Sequence, residues 1–318
     1  MHHVSTEMAG PLISVISLDK LKKSSKMKVW AGKFKMSLYK NKPESFFELV
    51  MHDITRRPGI TAACAGYELG KFRNTEFANY LFDWLPEFAL KYSELEDFNS
   101  GTAMRLMRQA AKIVYTTEKY KKRGEFGELL LHALLRDVFN SEPAISKIYY
   151  KSATNDTVKG FDAVHIVESG GELELWLGEV KFYKDAIDAI NEVVAEIRDH
   201  TETEYLRNEF ILIGTKLDPH WKHTNALKEL ISGRKSLDNV FARMCIPVLL
   251  TYESKCIASH NSATDTFRNA LKTELSSLLD KFSKHTLPNI RVHLFFVPLH
   301  AKEDLLQQLH SKLEGMQR

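Results

Sequence analysis

Cysteine is scarce in this chain of 318 residues. Cys64, Cys245 and Cys256 are too few and too scattered for a disulfide framework, which fits a reducing compartment. Long apolar runs are missing as well: no stretch approaches the ~18 residues of a membrane-spanning helix, so no membrane span is expected. The first twenty residues have a short apolar patch but no basic segment before it and no clear small-residue cleavage site. No secretion signal is therefore expected, and the expected location is cytoplasmic. There is no internal repeat or low-complexity tract. With 44% hydrophobic residues the chain can bury one large core or two ordinary ones. A nucleotide-hydrolysis loop is also lacking: GYELGKF at 66–72 is one residue short of a phosphate-binding loop and has no Ser or Thr after Lys71. Any ATP-driven unwinding must come from another polypeptide.

Net charge is small, +3 from 44 basic and 41 acidic residues, but it is unevenly spread. Residues 20–42 hold nine lysines and no acid, which leaves 35 basic against 41 acidic groups elsewhere, or −6. Trp30, Phe34 and Tyr39 interleave with lysines such as Lys33 and Lys35. That mixture suits phosphate contact with stacking on exposed bases, and equally an edge strand kept soluble by lysine.

Periodicity predicts a strand over 26–40, a helix opening after Pro43 and stopped by Pro58-Gly59, and a second helix from Thr75. Turn formers at 97–102 (DFNSGT) place a domain boundary there, between an N-terminal α+β module (1–100) and a C-terminal domain (101–318). The second part reads as helices over 103–120 and 125–139, then strands over 144–151, 160–168 and 172–183, the last two joined by Ser169-Gly170-Gly171. A helix from 185 to about 206 and an apolar strand at 209–214 (EFILIG) follow, giving the order α-β-β-β-α-β. Strands at 245–252 and 290–298, alternating with helices at 263–283 and 302–314, extend a mixed α/β sheet.

The chemistry concentrates on the paired strands GFDAVHIV and ELELWLGEVKFY. Glu179 and Lys181, two apart on a strand, share one face, and Asp162 on the neighbouring strand can lie about 5 Å to the side. Two hard carboxylates suit Mg²⁺ or Mn²⁺, which retain waters and bind a phosphate oxygen, and a lysine beside them can orient or deprotonate the attacking water. A fourth group comes from RGEFGELLLHALL, where Glu128 opens the apolar stripe Leu131, Leu134, Leu135; Glu125 is the alternative, and either can also serve the helix dipole. Lys121, Lys122 and Arg123 lead into that helix and could guide a nucleic-acid strand, or form a solvated turn. His165, three residues after Asp162, falls on the opposite face and reads as a packed or surface histidine.

A helix acid, a strand Asp and Glu-x-Lys on the next strand resemble the PD-(D/E)xK restriction-endonuclease-like nuclease superfamily. The words RGEFGE, KGFDAVH and GEVKFY resemble more narrowly the HamA family, nuclease subunits of the Hachiman anti-phage defence system. This resemblance implies a restriction-endonuclease-like fold and metal-dependent cutting of DNA. It implies metal binding by Asp162 and Glu179, with Glu128 as the helix acid, service of the attacking water by Lys181, and a helicase partner. The residues also admit an inactive nuclease-like binding module or a nuclease directed at RNA, because the same chemistry acts on either backbone.

Overall fold

The computed structural model describes Tyr39 and residues 41–115, 124–146 and 160–317, and residues 41–318 cluster as one unit. Among the described residues nine strands form in chain order: β1 (Glu48–Asp53), β2 (Gly59–Cys64), β3 (Tyr67–Glu68), β4 (Lys71–Phe72), β5 (Glu142–Ser146), β6 (Ala163–Ser169), β7 (Glu172–Phe182), β8 (Met244–Glu253) and β9 (Arg291–Leu299). Seven of them make one mixed sheet in the order β1-β2-β9-β8-β7-β6-β5. Its centre is parallel, β2 with β9, β9 with β8 and β8 with β7, and both flanks are antiparallel. The central strands β8 and β9 are buried at every residue but one terminal position each, as parallel strands covered on both faces must be.

Helices α1 (Asn74–Asp83), α2 (Leu85–Ala89), α3 (Tyr92–Leu95), α4 (Ala103–Tyr115) and α5 (Glu125–Phe139) precede the β5–β7 meander. After it come α6 (Ala186–His200), α7 (Thr203–Lys216), α8 (Thr224–Leu230), α9 (Leu237–Phe241), α10 (Lys255–Ser259), α11 (Asp265–Ser283) and α12 (Lys302–Gln317). One layer is built on α5, whose core continues into α1, α4 and α12; α6 packs on β7 and β8, with α11 beside it. Asp185 starts α6 by accepting hydrogen bonds from the backbone N–H groups of Ile187 and Asp188, and Asn140 ends α5 in the left-handed region at φ 49°.

Several expected elements appear with ends shifted by a few residues: α5, the β6–β7 hairpin, β8, β9, α11 and α12. The hairpin turns on Gly170 and Gly171, both at positive φ (59° and 81°), where glycine carries no steric cost. Three expectations are corrected. The helix expected after Pro43 is instead the edge strand β1, because fully buried β2 offers it a pairing edge and that pairing outweighs local pattern. The strand expected at 209–214 lies inside α7: Leu206, Glu209, Phe210 and Ile213 face inward at helical spacing while Ile211 stays 65% exposed. The helix expected from 185 to 206 is two helices, broken at Thr201 and Glu202. The sheet also takes strands from both sides of residue 100, since β2 pairs with β9. The strand expected at 26–40 lies outside the described residues, apart from Tyr39.

Candidate active site

The even residues of the second half of β7 face α5 across two glycines. A Cβ on Gly127 would come within 2.5 Å of Val180, and one on Gly178 within 2.6 Å of Leu131, so helix and strand can meet this closely only without those side chains. The odd residues, Glu179 and Lys181, therefore point to the other face, where α6 lies. Both are buried. Asp162 joins them from the mouth of β6: its N–H donates to Gly178 O at 2.8 Å, and its Oδ2 accepts the Val180 N–H at 2.8 Å. The preceding residues hold it there. Gly160 lies against the Glu209 carboxylate, where a Cβ would approach to 2.6 Å, and Phe161 packs edge-on against His200 at 5.3 Å.

Helix α6 presents Glu192, Glu196 and His200, spaced four apart on one stripe, to this face of β7. Lys181 Nζ donates to Glu196 Oε1 at 2.6 Å and to Glu192 Oε1 at 3.0 Å, and Tyr183 Oη donates to Glu192 Oε2 at 2.6 Å. Burial alone would lower the Lys181 pKa, but hydrogen bonds to Glu196 and Glu192 outweigh it and hold the ammonium above its ordinary value. Lys181 is therefore a fixed cation. His200 Nδ1 lies 2.5 Å from Glu179 Oε1. Burial pushes Glu179 up to about 7; the Asp162 and Glu196 charges act the same way, and His200 opposes them. Burial would lower His200, yet the Glu179 oxygen and charge raise it.

Asp162, Glu179 and Lys181 thus come together, as their positions in the sequence suggest. Glu128 is buried in the first turn of α5, the helix whose Gly127 packs against Val180 of β7, while Glu125 is half-buried. Lys121, Lys122, Arg123, Lys33 and Lys35 lie outside the described residues. The sequence reading passed over Glu192, Glu196, His200 and Tyr205; the i, i+4, i+8 spacing of the first three was the available signal. Among the described residues no three carboxylate, histidine or cysteine side chains are grouped so that they could hold an ion by themselves. The donor set nevertheless suits a hard cation, because two acidic side chains sit together in a buried place, where desolvation and the neighbouring charge raise the Glu179 pKa and a divalent cation would offset both.

Residues 44–313 match the HamA family, which covers more than four-fifths of the chain. This chain belongs to the HamA family. It is also similar to Anti-bacteriophage protein A of Escherichia coli (strain K12), 24% identical over 263 residues, which is 78% of this chain and 46% of that protein. The chain spans about half the length of that curated relative. In this HamA-family chain the described parts of the motif words, GEFGE, GFDAVH and GEVKFY, lie at the start of α5, the start of β6 and the end of β7. The GYELGKF segment is a tight hairpin, β3 to β4, turning on Leu69 and Gly70 at φ 48° and 77°.

His165 is packed, on the α5 side of the sheet. Its ring meets that of His132 at 5.1 Å, and its Nδ1 is 2.9 Å from Ser141 Oγ. Burial holds His132 below its ordinary pKa, and burial with the charges of His132 and Arg136 holds His165 well below it. Burial likewise drives His293 down to about 3, helped by His52 and Arg291. These histidines fold neutral, so below about pH 6.5 the unfolded chain binds more protons and each one lowers stability by up to about 1.4 kcal/mol per pH unit. Glu179 and His200, both raised in the fold, act oppositely, but they are two groups against His132, His165, His223 and His293, all held low. The urea midpoint is expected to fall as pH drops from 7 to 5; a rising midpoint contradicts the neutral assignment.

Proposed function

We propose that this chain is a divalent-metal-dependent nuclease that hydrolyses DNA phosphodiester bonds through Asp162, Glu179 and Lys181. The observation that supports this most is the buried pairing of Asp162 and Glu179 beside a lysine held as a cation. Two acidic side chains brought together in a buried place repel one another when both are charged, and the donors they offer are those of Mg²⁺ or Mn²⁺ sites, which use one or two carboxylates and fill the remaining positions with waters and phosphate. When bound, the ion would polarise the phosphate and lower the pKa of a water.

Asp162 and Glu179 would hold that ion. Lys181 spends two of its three N–H groups on Glu196 and Glu192, which leaves one to donate to a phosphate oxygen or to orient water, and its charge offsets negative charge developing on the phosphate. A cation this firmly protonated is suited to electrostatic stabilisation rather than to removing a proton. The proposal does not depend on Glu128. Similarity to Anti-bacteriophage protein A supports a role in defence against phage. The motif resemblance to Hachiman nuclease subunits supports a helicase partner that delivers the DNA.

The test is cutting of labelled single- and double-stranded DNA by the purified chain with Mg²⁺ or Mn²⁺, alone and with the helicase. Cutting is expected with metal, none with EDTA, and none from a folded Asp162→Ala variant. Undiminished cutting by that variant contradicts the proposal, and preference for RNA in direct competition reassigns the substrate.

A further inference from the structure

Glu179 is not held by β7 alone. Its Oε1 lies 2.5 Å from His200 Nδ1, so a proton stands between the two atoms, and Oε2 is the oxygen left for another ligand. The imidazole is itself held on two sides. It stacks on Tyr205 with ring centroids 4.3 Å apart and planes at 14°, and Phe161 meets it edge-on at 5.3 Å. The helix break at Thr201 and Glu202 makes this stack possible: it ends α6 at His200 and returns the chain so that the first turn of α7 lays Tyr205 over the ring. Phe161 stands directly before Asp162. One histidine thus touches the segment that sets one acid and hydrogen-bonds the other.

We infer that His200 is a positioning residue, which fixes the Glu179 carboxylate so that Oε2 and Asp162 together face the divalent cation. The inference rests on the proposed reading of Asp162 and Glu179 as metal carboxylates. A carboxylate on a free side-chain torsion loses affinity in freezing its rotamers, whereas one anchored through an oxygen meets the ion already oriented. Tyr205 and Phe161 supply the rigidity, since an aromatic stack fixes the ring plane and with it the direction of the Nδ1 lone pair or N–H. Tyr205 Oη is buried and makes no hydrogen bond among the described residues, so the ring is placed by its stacking face rather than by its hydroxyl.

The test is calorimetric titration of Mn²⁺ alone into the full chain, followed by steady-state cutting of DNA. His200→Ala is expected to weaken Mn²⁺ binding about 10- to 100-fold, the range typical of lost outer-shell partners. At saturating metal it is expected to lower kcat with little change in KM for DNA. His200→Asn, whose amide N–H can stand near the place of Nδ1, is expected to recover most of the affinity. His200→Gln, whose amide is set farther out, is expected to recover less. If His200→Ala does not fold, the Asn and Gln variants decide, and equal, wild-type Mn²⁺ affinity in both overturns the inference. Where Asp162→Ala loses Mn²⁺ but His200→Ala binds it like the wild type, the positioning role alone is overturned. Where the wild type and Asp162→Ala titrate alike, the metal reading of the site fails and the positioning role falls with it.

Discussion

Lys181→Met is expected to slow DNA cutting about 10²- to 10³-fold, the usual cost of removing one preorganised charge from a reacting centre. The fold should be nearly untouched. Methionine keeps the apolar stem that packs on β7, and the two carboxylates left behind, Glu192 and Glu196, have side chains 48% and 33% exposed and can rehydrate. The measurement is a single-turnover rate at saturating metal, with thermal unfolding as the control. A rate within a few-fold of wild type removes Lys181 from the chemistry. Loss of rate accompanied by a large drop in unfolding temperature would mean that Lys181 serves packing instead.

Arg136→Met is expected to do the reverse. The Arg136 side chain is 1% exposed, its guanidinium bonds the Glu87 carboxylate through Nε and Nη2 and the Ser141 carbonyl through Nη1, and it lies over the Trp84 ring. His132 Nε2 stands 3.3 Å from the same glutamate. Deleting one member of a buried pair strands the other, which costs about 3–5 kcal/mol. Urea unfolding should show a loss of that size, while folded protein at low temperature should cut DNA at nearly the wild-type rate, because the network lies on the α5 side of the sheet, away from Glu179 and Lys181. A loss below about 1 kcal/mol would mean that water reaches Glu87 and replaces the guanidinium.

These contrasting variants follow from the two faces of β7, and much of that division was legible in the sequence. Glu179 and Lys181 interrupt an apolar strand two residues apart, so they had to share a face, and the glycine pair at 170–171 made the hairpin that brings Asp162 alongside. The stripe Leu131, Leu134, Leu135 marked the helix face that must pack on the sheet. What could not be read was which helix answers which face. Gly127 and Gly178 look like ordinary loop formers in a string, yet their missing side chains decide that α5 approaches on the even face. The EFILIG run misled because a short apolar run such as Phe210 to Ile213 fits a buried strand or a helix equally, and only the spacing of Leu206, Glu209, Phe210 and Ile213 separates them. The acids of α6 went unnoticed for a similar reason: Glu192 and Glu196 look like solvated helix residues until Lys181 is placed opposite them.

The assignment of Asp162 and Glu179 as metal carboxylates is tested most directly by diffraction from crystals of this chain soaked in Mn²⁺, recorded where manganese scatters anomalously. The expected result is one strong peak within about 2.0–2.5 Å of an oxygen from each carboxylate, absent from Asp162→Ala crystals treated alike. A chain that needs Mn²⁺ to cut DNA but shows no peak there, or shows one elsewhere, would contradict it.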